Sequence, residues 1–447
     1  MKAPVPGTEK NILYPEIPIA TLTNGLQILS VNDTRLPRIF LTLLFPVGRV
    51  CSPVHNQSLI PLALELIKTG TKNRSAREIA NFVDQWAIDY ASNVMMEHST
   101  LSVDVLADYI EPALEFIADV LLSPSWPDEE LKKVQTRWGS HLIAQRSQPD
   151  FLANERTFKA IYCDHPYSNI SLSPQHLAEA NSEAIGDIYQ RYYVPNNAYL
   201  LLAGPMNLDE VVERTNTVLG TWINSKSPEV SYPKLSNIKG PLISLVHRPH
   251  SVQSKIVLAV RALPIAHSDD VVLKVTNQIL GGGGSARLFL NLREEKGYTY
   301  GAYSHVRRYR HDGLLLAGAD VRTDTTVESI REILKEMELM GRELPEESEL
   351  RRCKAELTGA FVRQMQTPAS IGQLELNRRL YQFPQDFYSN FIPKVRAVTG
   401  EQVLEMSQRL FNLEEVVITV VGDRENIEKE LRQLGEVQVY DVDGNSI

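Results

Sequence analysis

Apolar residues recur at strand-like spacing in Phe40-Leu-Thr-Leu-Leu-Phe45 and again in Ile256-Val-Leu-Ala-Val260, which predicts a strand at each place. Thr100-Leu-Ser-Val-Asp-Val105 and Gly313-Leu-Leu-Leu-Ala-Gly-Ala-Asp320 read the same way. Helical spacing of apolar positions follows in Tyr109–Leu122 and in Thr326–Met337. Leu59–Thr71 reads as a short amphipathic helix stopped by Gly70. A buried strand, Ala198–Gly204 or Val416–Gly422, and a closing helix finish each half of the chain.

The order of elements repeats. Arg38-Ile-Phe-Leu-Thr-Leu matches Lys255-Ile-Val-Leu-Ala-Val, and Glu130-Leu-Lys-Lys-Val matches Glu349-Leu-Arg-Arg-Cys. Tyr167-Ser matches Tyr388-Ser, and Ala198–Gly204 matches Val416–Gly422. Four pairings in one order at nearly one offset imply an internal duplication. Residues 224–240 are rich in Ser, Pro and Lys with no apolar period, the signature of a linker. The expected organisation is therefore a module over 1–223, a linker over 224–240 and a second module over 241–447. Strands mixed with long helices predict an α+β class, each module a mixed sheet with helices packed on one face.

Composition narrows the function. A hydrophobic content of 43% and a charged content of 23% over 447 residues describe an ordinary globular chain. The net charge of −9 argues against a nucleic-acid partner, which needs a basic face. No apolar run is long enough for a membrane span, so no membrane insertion is expected. Met1–Thr8 has no apolar stretch of the signal-peptide kind; the expected compartment is the cytoplasm, or the periplasm if a leader has been removed. Cys51, Cys163 and Cys353 form no C-x-x-C and read as buried small hydrophobes.

Several stretches carry a family resemblance. Thr69-Gly70-Thr71 resembles the stop that follows the His-x-x-Glu-His helix in zinc peptidases of the pitrilysin and mitochondrial processing peptidase family. Counted back from that stop, the histidine positions fall on Pro61 and Glu65 and the glutamate position on Leu64. Arg191-Tyr-Tyr-Val-Pro-Asn-Asn-Ala198 and Asp164-His-Pro-Tyr167 resemble family turns, and His165 is read as a turn residue. Leu280-Gly-Gly-Gly-Gly-Ser-Ala-Arg-Leu-Phe-Leu-Asn-Leu-Arg-Glu-Glu-Lys-Gly-Tyr-Thr-Tyr300 resembles the second-module signature. The resemblance covers nearly the whole chain and implies the duplicated fold.

The resemblance implies a scaffold kept and a chemistry removed. Zinc needs three protein donors and an open position, whereas Pro61 and Leu64 have no lone pair to give and Glu65 is a single carboxylate. The stretch matching the family's third ligand, Trp138–Arg146, has no acid and only His141 nearby. No cofactor is expected in this chain. The arginine and tyrosine that, in active members, reach the peptide held at the zinc fall on Arg293 and Tyr300. A phenol aimed at a developing oxyanion stabilises the tetrahedral state, and a guanidinium fixes a carbonyl or carboxylate. The other reading of the pair is local: Arg293 against Glu294, and Tyr300 as a core aromatic.

Gly281, Gly282, Gly283 and Gly284 lack the Gly-Lys-Ser/Thr ending of a P-loop. They are read either as a substrate-handling loop at a chamber mouth, which the resemblance implies, or as a tight turn needing positive φ. His247 and His250 form a close histidine pair for which no nearby acidic partner is expected. Glu97-His98 reads as a strand position near a substrate edge or as an ordinary strand end. The expectation is a non-catalytic subunit that pairs with a zinc-containing homologous subunit, completes its active site with Arg293 and Tyr300, and helps enclose a chamber for peptide substrates. A purely structural subunit and a peptide-binding homodimer are the alternatives.

Overall fold

The computed structural model describes residues 14–238 and 241–447; the calls on Met1–Thr8 and on the last two linker residues lie outside them. The first half runs β1 (Ile19–Thr21), β2 (Gln27–Asn32), β3 (Arg38–Phe45), α1 (Leu59–Leu66), α2 (Ala76–Gln85), β4 (Asp89–Val94) and β5 (Ser99–Leu106). It continues with α3 (Ile110–Leu122), α4 (Asp128–Arg146), α5 (Pro149–Tyr162), α6 (Pro174–Glu179), α7 (Ser182–Tyr192), β6 (Tyr199–Gly204) and α8 (Leu208–Leu219). The second half runs β7 (Leu242–His247), β8 (Gln253–Ala262), α9 (Asp270–Gly281), α10 (Arg287–Phe289), β9 (Thr299–Arg308) and β10 (Gly313–Arg322). There follow α11 (Thr326–Arg342), α12 (Glu347–Gln364), α13 (Pro368–Leu380), α14 (Phe391–Ala397), α15 (Gly400–Leu410), β11 (Val417–Gly422), α16 (Arg424–Leu431) and β12 (Val437–Tyr440).

Two six-stranded sheets result, ordered β1-β2-β6-β3-β5-β4 and β12-β7-β11-β8-β10-β9. Five strands of each correspond one to one, from β2 to β4 in the first order and from β7 to β9 in the second. In each, a parallel pair (β2 with β6, β7 with β11) is joined to antiparallel partners. The duplicated sequence pairs land on equivalent elements: β3 with β8, α4 with α12, and β6 with β11. Each sheet ends in a strand with one unpaired edge, β4 in the first half and β9 in the second.

Each sheet carries its own helices on one face, as its patterning predicts. The opposite face is covered too, by a helix from the other half. α5 packs on β7, β8 and β11, while α13 packs on β2 and β6. Leu29, Val31, Leu44, Leu201 and Ala203 form one apolar cluster with Leu376 and Leu380 of α13. In the reciprocal contact the buried Thr157 hydroxyl of α5 donates to the Thr419 hydroxyl of β11 at 2.8 Å. This exchange is why β6 and β11 read as continuous apolar runs: strands buried on both faces lose alternation. Gly372 of α13 makes the exchange possible, because a Cβ there would overlap the Leu201 side chain.

The turns of two hairpins meet between the halves. Glu97, in the β4–β5 turn, is buried and accepts the Arg310 backbone N–H at 2.9 and 3.1 Å from the β9–β10 turn. The Tyr167 hydroxyl donates to the same carboxylate at 2.6 Å. Tyr232 of the connecting segment packs against His165, Tyr167 and His311 here. Glu97 is thus an inter-half fastening and not an ordinary strand end. One cysteine departs from its expected place: Cys163 is exposed, because it sits just past the end of α5 at φ 48°, while Cys51 and Cys353 are buried.

Candidate functional site

α1 is buried on nearly every side; of its eight residues only Glu65 is not fully enclosed. An amphipathic helix is therefore not what forms. Nor does Gly70 stop it. The helix closes at Leu66, where the Ile67 N–H reaches Ala63 O at 3.2 Å, and Gly70 lies beyond it in a bridge to Ser75. Glycine suits that bridge because Ser125 and Pro127 press to 3.0 and 3.1 Å of where a Cβ would stand. Pro61 is accepted because it falls in the first turn, whose N–H groups have no helical partner.

Pro61, Leu64 and Glu65 all face one cavity of about 290 Å3, closed by α4 through Trp138 and His141 and by β4 through Ser92–Val94. The stretch expected to supply a third ligand thus does stand over α1, but with an exposed His141 in place of an acid. Glu65 is committed: Lys68 Nζ lies 2.9 Å from one carboxylate oxygen and Arg137 contacts the other. With two positions lacking donors and the third neutralised, these residues do not fit zinc. Among the described residues no group of three His, Cys, Asp or Glu is placed to hold a metal ion.

The second region follows α10. Leu290–Glu295 forms a π-helical turn that carries Arg293, and Gly297 at φ 66° redirects the chain into β9. Widened turns of this kind often accompany functional sites. Arg293 lies over the Phe289 ring at 4.8 Å, and its Nε is 3.5 Å from Glu294, so the local contact weighed from sequence is present. Tyr300 is not a core aromatic: it is 88% exposed. The cause is a bulge. Ala302 pairs with Ala319 and Thr299 with Val321, leaving Tyr300 and Gly301 opposite Asp320 alone. The Thr299 hydroxyl secures the distortion by donating to Asp320 O at 2.6 Å and accepting the Gly301 N–H at 3.1 Å. An extra residue on an edge strand re-aims its side chain, here outward from the sheet.

The model for insulinase-type peptidases of family M16 matches residues 41–175, and the model for the M16 inactive domain matches residues 179–357. The chain belongs to the M16 peptidase family. A Bacillus subtilis protein called an uncharacterized zinc protease, YmxG, is 22% identical over 409 residues, 91% of this chain and 98% of that protein. A Helicobacter pylori protein called a non-peptidase homolog, YmxG, is 21% identical over 394 residues, 87% of this chain and 90% of its own length. The crystal structure of an M16 inactive domain from Pseudomonas fluorescens superposes with a TM-score of 0.82 at 22% identity, covering 92% of this chain and 98% of that one. Such likenesses fix the M16 fold.

Other candidate residues of this M16 chain are sorted by their surroundings. None of Gly281, Gly282, Gly283 and Gly284 has positive φ, so that reason for the run is set aside. Gly281 is required instead by close approach, since a Cβ would overlap the Ser304 backbone of β9; one on Gly282 would overlap the Gln278 side chain. Gly283 and Gly284 have no neighbour nearer than 3.5 and 3.9 Å to a Cβ and stand open. The flank of the loop is pinned to α12, where Arg287 pairs with Glu349 at 2.8 Å and the Ser285 hydroxyl donates to Glu356 at 3.0 Å.

His165 is a turn residue whose Nδ1 accepts the Tyr167 N–H at 3.1 Å. His247 and His250 do have an acidic neighbour, contrary to the sequence reading. Asp423, distant in sequence, lies 4.0 Å from His247 Nδ1 and accepts the His250 N–H at 2.9 Å while capping α16. Sequence reasoning passed over Arg49, which stands in the cavity wall over α1. Its only signal was a lone cation in the apolar stretch Phe45–Cys51.

Proposed function

We propose that this chain is a non-catalytic M16 subunit that pairs with a zinc-bearing homologue and completes its active site with Arg293 and Tyr300. The observation that carries this reading is a contrast. The first half has lost every free metal donor from α1, while Tyr300 is turned outward on a bulged edge strand, where an aromatic gains nothing from burial. A phenol so presented suits an oxyanion or carbonyl brought by another chain. The unpaired edges of β4 and β9 suit an extended peptide added as a further strand. Arg293's contacts with Phe289 and Glu294 favour the second reading, a structural subunit in which the pair is a relic. One assay separates the two. Proteolysis by a mixture with a His-x-x-Glu-His homologue, lost on Arg293→Ala or Tyr300→Phe, supports the first; tolerance of both substitutions supports the second. Zinc-dependent proteolysis by this chain alone overturns both.

A further inference from the structure

The cavity over α1 does not suit a cation. Glu65 is the one acid in its wall, and that carboxylate is shared between Lys68 and Arg137. Arg49 stands in the wall itself, while Lys68 and Arg137 are engaged by Glu65, and it has no carboxylate paired to it among the described residues. Its one side-chain hydrogen bond among the described residues is a donation from Nη1 to Ile170 O at 2.6 Å. A guanidinium has five N–H donors. Burial weakens its hold on its proton, which is the signature of a cation short of an anion.

Arg49 is also held rigidly. Its own N–H and that of Val50 donate to Met95 O and Met96 O at 3.0 and 3.1 Å. Gly48 sits so close to the Met96 carbonyl that no Cβ fits. A fixed, partly desolvated arginine facing a cavity, in a chain of net charge −9, is an arrangement that calls for an anionic ligand.

The shape names the ligand's class. The cavity holds about 290 Å3, near the lower limit for a ligand pocket, which suits a single residue. One wall is Ser92–Val94 of β4, whose outer edge has no strand beside it among the described residues. An extended chain laid along that edge would direct an end or a side chain into the cavity. We propose that this cavity is a carboxylate-recognition pocket in which Arg49 binds the C-terminal or side-chain carboxylate of an extended peptide laid on β4. Planar guanidinium and planar carboxylate can meet through two parallel bonds. The proposal rests on the peptide-handling part of the reading above and needs no partner subunit.

The test uses the full chain alone and a fluorescein-labelled alternating Ala-Val peptide in three forms: free C-terminal acid, C-terminal amide, and amide with one internal Glu. Anisotropy titrations should show at least tenfold tighter binding of one or both carboxylate forms than of the plain amide. A preference for the first identifies a chain terminus, and for the second an acidic side chain. Arg49→Met should abolish the preference and Arg49→Lys should keep part of it. Glu65→Gln, which releases Lys68 and Arg137, should tighten the carboxylate forms and leave the amide unchanged. Equal affinity for all three peptides on the unaltered protein overturns the pocket, as does no binding of any. Neither result touches the Arg293 and Tyr300 assay with a zinc-bearing partner, so the two readings fail separately.

Discussion

Replacing Glu97 by alanine should loosen the join between the halves, and the size of the effect follows from what the carboxylate holds. It accepts two donors, the Arg310 N–H at 2.9 Å and the Tyr167 hydroxyl at 2.6 Å, both in a region closed to water. A hydrogen bond to a charged group contributes about 1.5–3 kcal/mol, so the gross loss is roughly 3–6 kcal/mol. Relief from burying a carboxylate offsets part of this, leaving about 2–4 kcal/mol. An unfolding entropy of about 2.1 cal/mol/K per residue over the whole chain is roughly 0.9 kcal/mol/K, so the melting temperature should fall by about 2–4 °C. Glu97→Gln keeps an acceptor oxygen and should lose less than half as much. Calorimetry on the two variants measures both. An alanine variant within 0.5 °C of the unaltered protein would refute the fastening role.

The same residue gives a pH dependence whose sign is fixed. Burial, outweighing the hydrogen bonds from Tyr167 and Arg310, raises the Glu97 carboxyl above its ordinary 4.5. In the window above 4.5 the folded state then binds more protons at this site than the unfolded state. The contribution is fully present below 4.5 and is lost as pH rises through the folded-state value. Stability of the unaltered protein relative to Glu97→Gln should therefore decline as pH is raised through that window. A difference that grows with pH would show that the two hydrogen bonds, and not burial, dominate.

Three further outcomes are expected. Tyr300→Phe should cost about 100- to 1000-fold in kcat of a mixture with a zinc-bearing homologue, while changing the melting temperature of this chain by less than 1 °C; a destabilised variant would place the ring in a packing role. Gly281→Ala should destabilise by about 1–3 kcal/mol because its Cβ meets the Ser304 backbone, whereas Gly284→Ala should be near neutral, both read from urea midpoints. A thiol reagent under native conditions should label Cys163 alone, since burial pushes the Cys51 and Cys353 thiols up to about 11.

What the sequence displayed and what it concealed divide along a physical line. Features with a local period were readable: the strands at Phe40–Phe45 and Ile256–Val260, the long helices after β5 and β10, and the duplication itself. The positions Pro61, Leu64 and Glu65 came from a resemblance and not from any period; what the structure adds is that all three line one cavity. Features made by chain crossings were not readable. Nothing near Glu97 announces Arg310, and nothing near His250 announces Asp423. The exposure of Tyr300 depends on a bulge, secured by a Thr299 hydroxyl that reaches a carbonyl on the neighbouring strand.

The exchange of α5 and α13 was hidden for a related reason, and it bears on how this scaffold is held together. A helix that covers the other half's sheet is patterned like one that covers its own. Because of that exchange, each sheet is enclosed on both faces by apolar contacts that owe nothing to a metal. In α1 the change runs the same way. Pro61 falls where a helix tolerates it, Leu64 is buried against the core, and Glu65 is satisfied by two cations. Pro61 and Leu64 thus contribute to packing and Glu65 to charge balance, so α1 is held by contacts that need no ion. Among the described residues Arg49 has no carboxylate partner, and it stands in the wall of a small cavity beside the edge of β4. A scaffold stabilised elsewhere can keep such a charge only at some cost, and the proposed peptide carboxylate would offset that cost through the planar match of guanidinium and carboxylate.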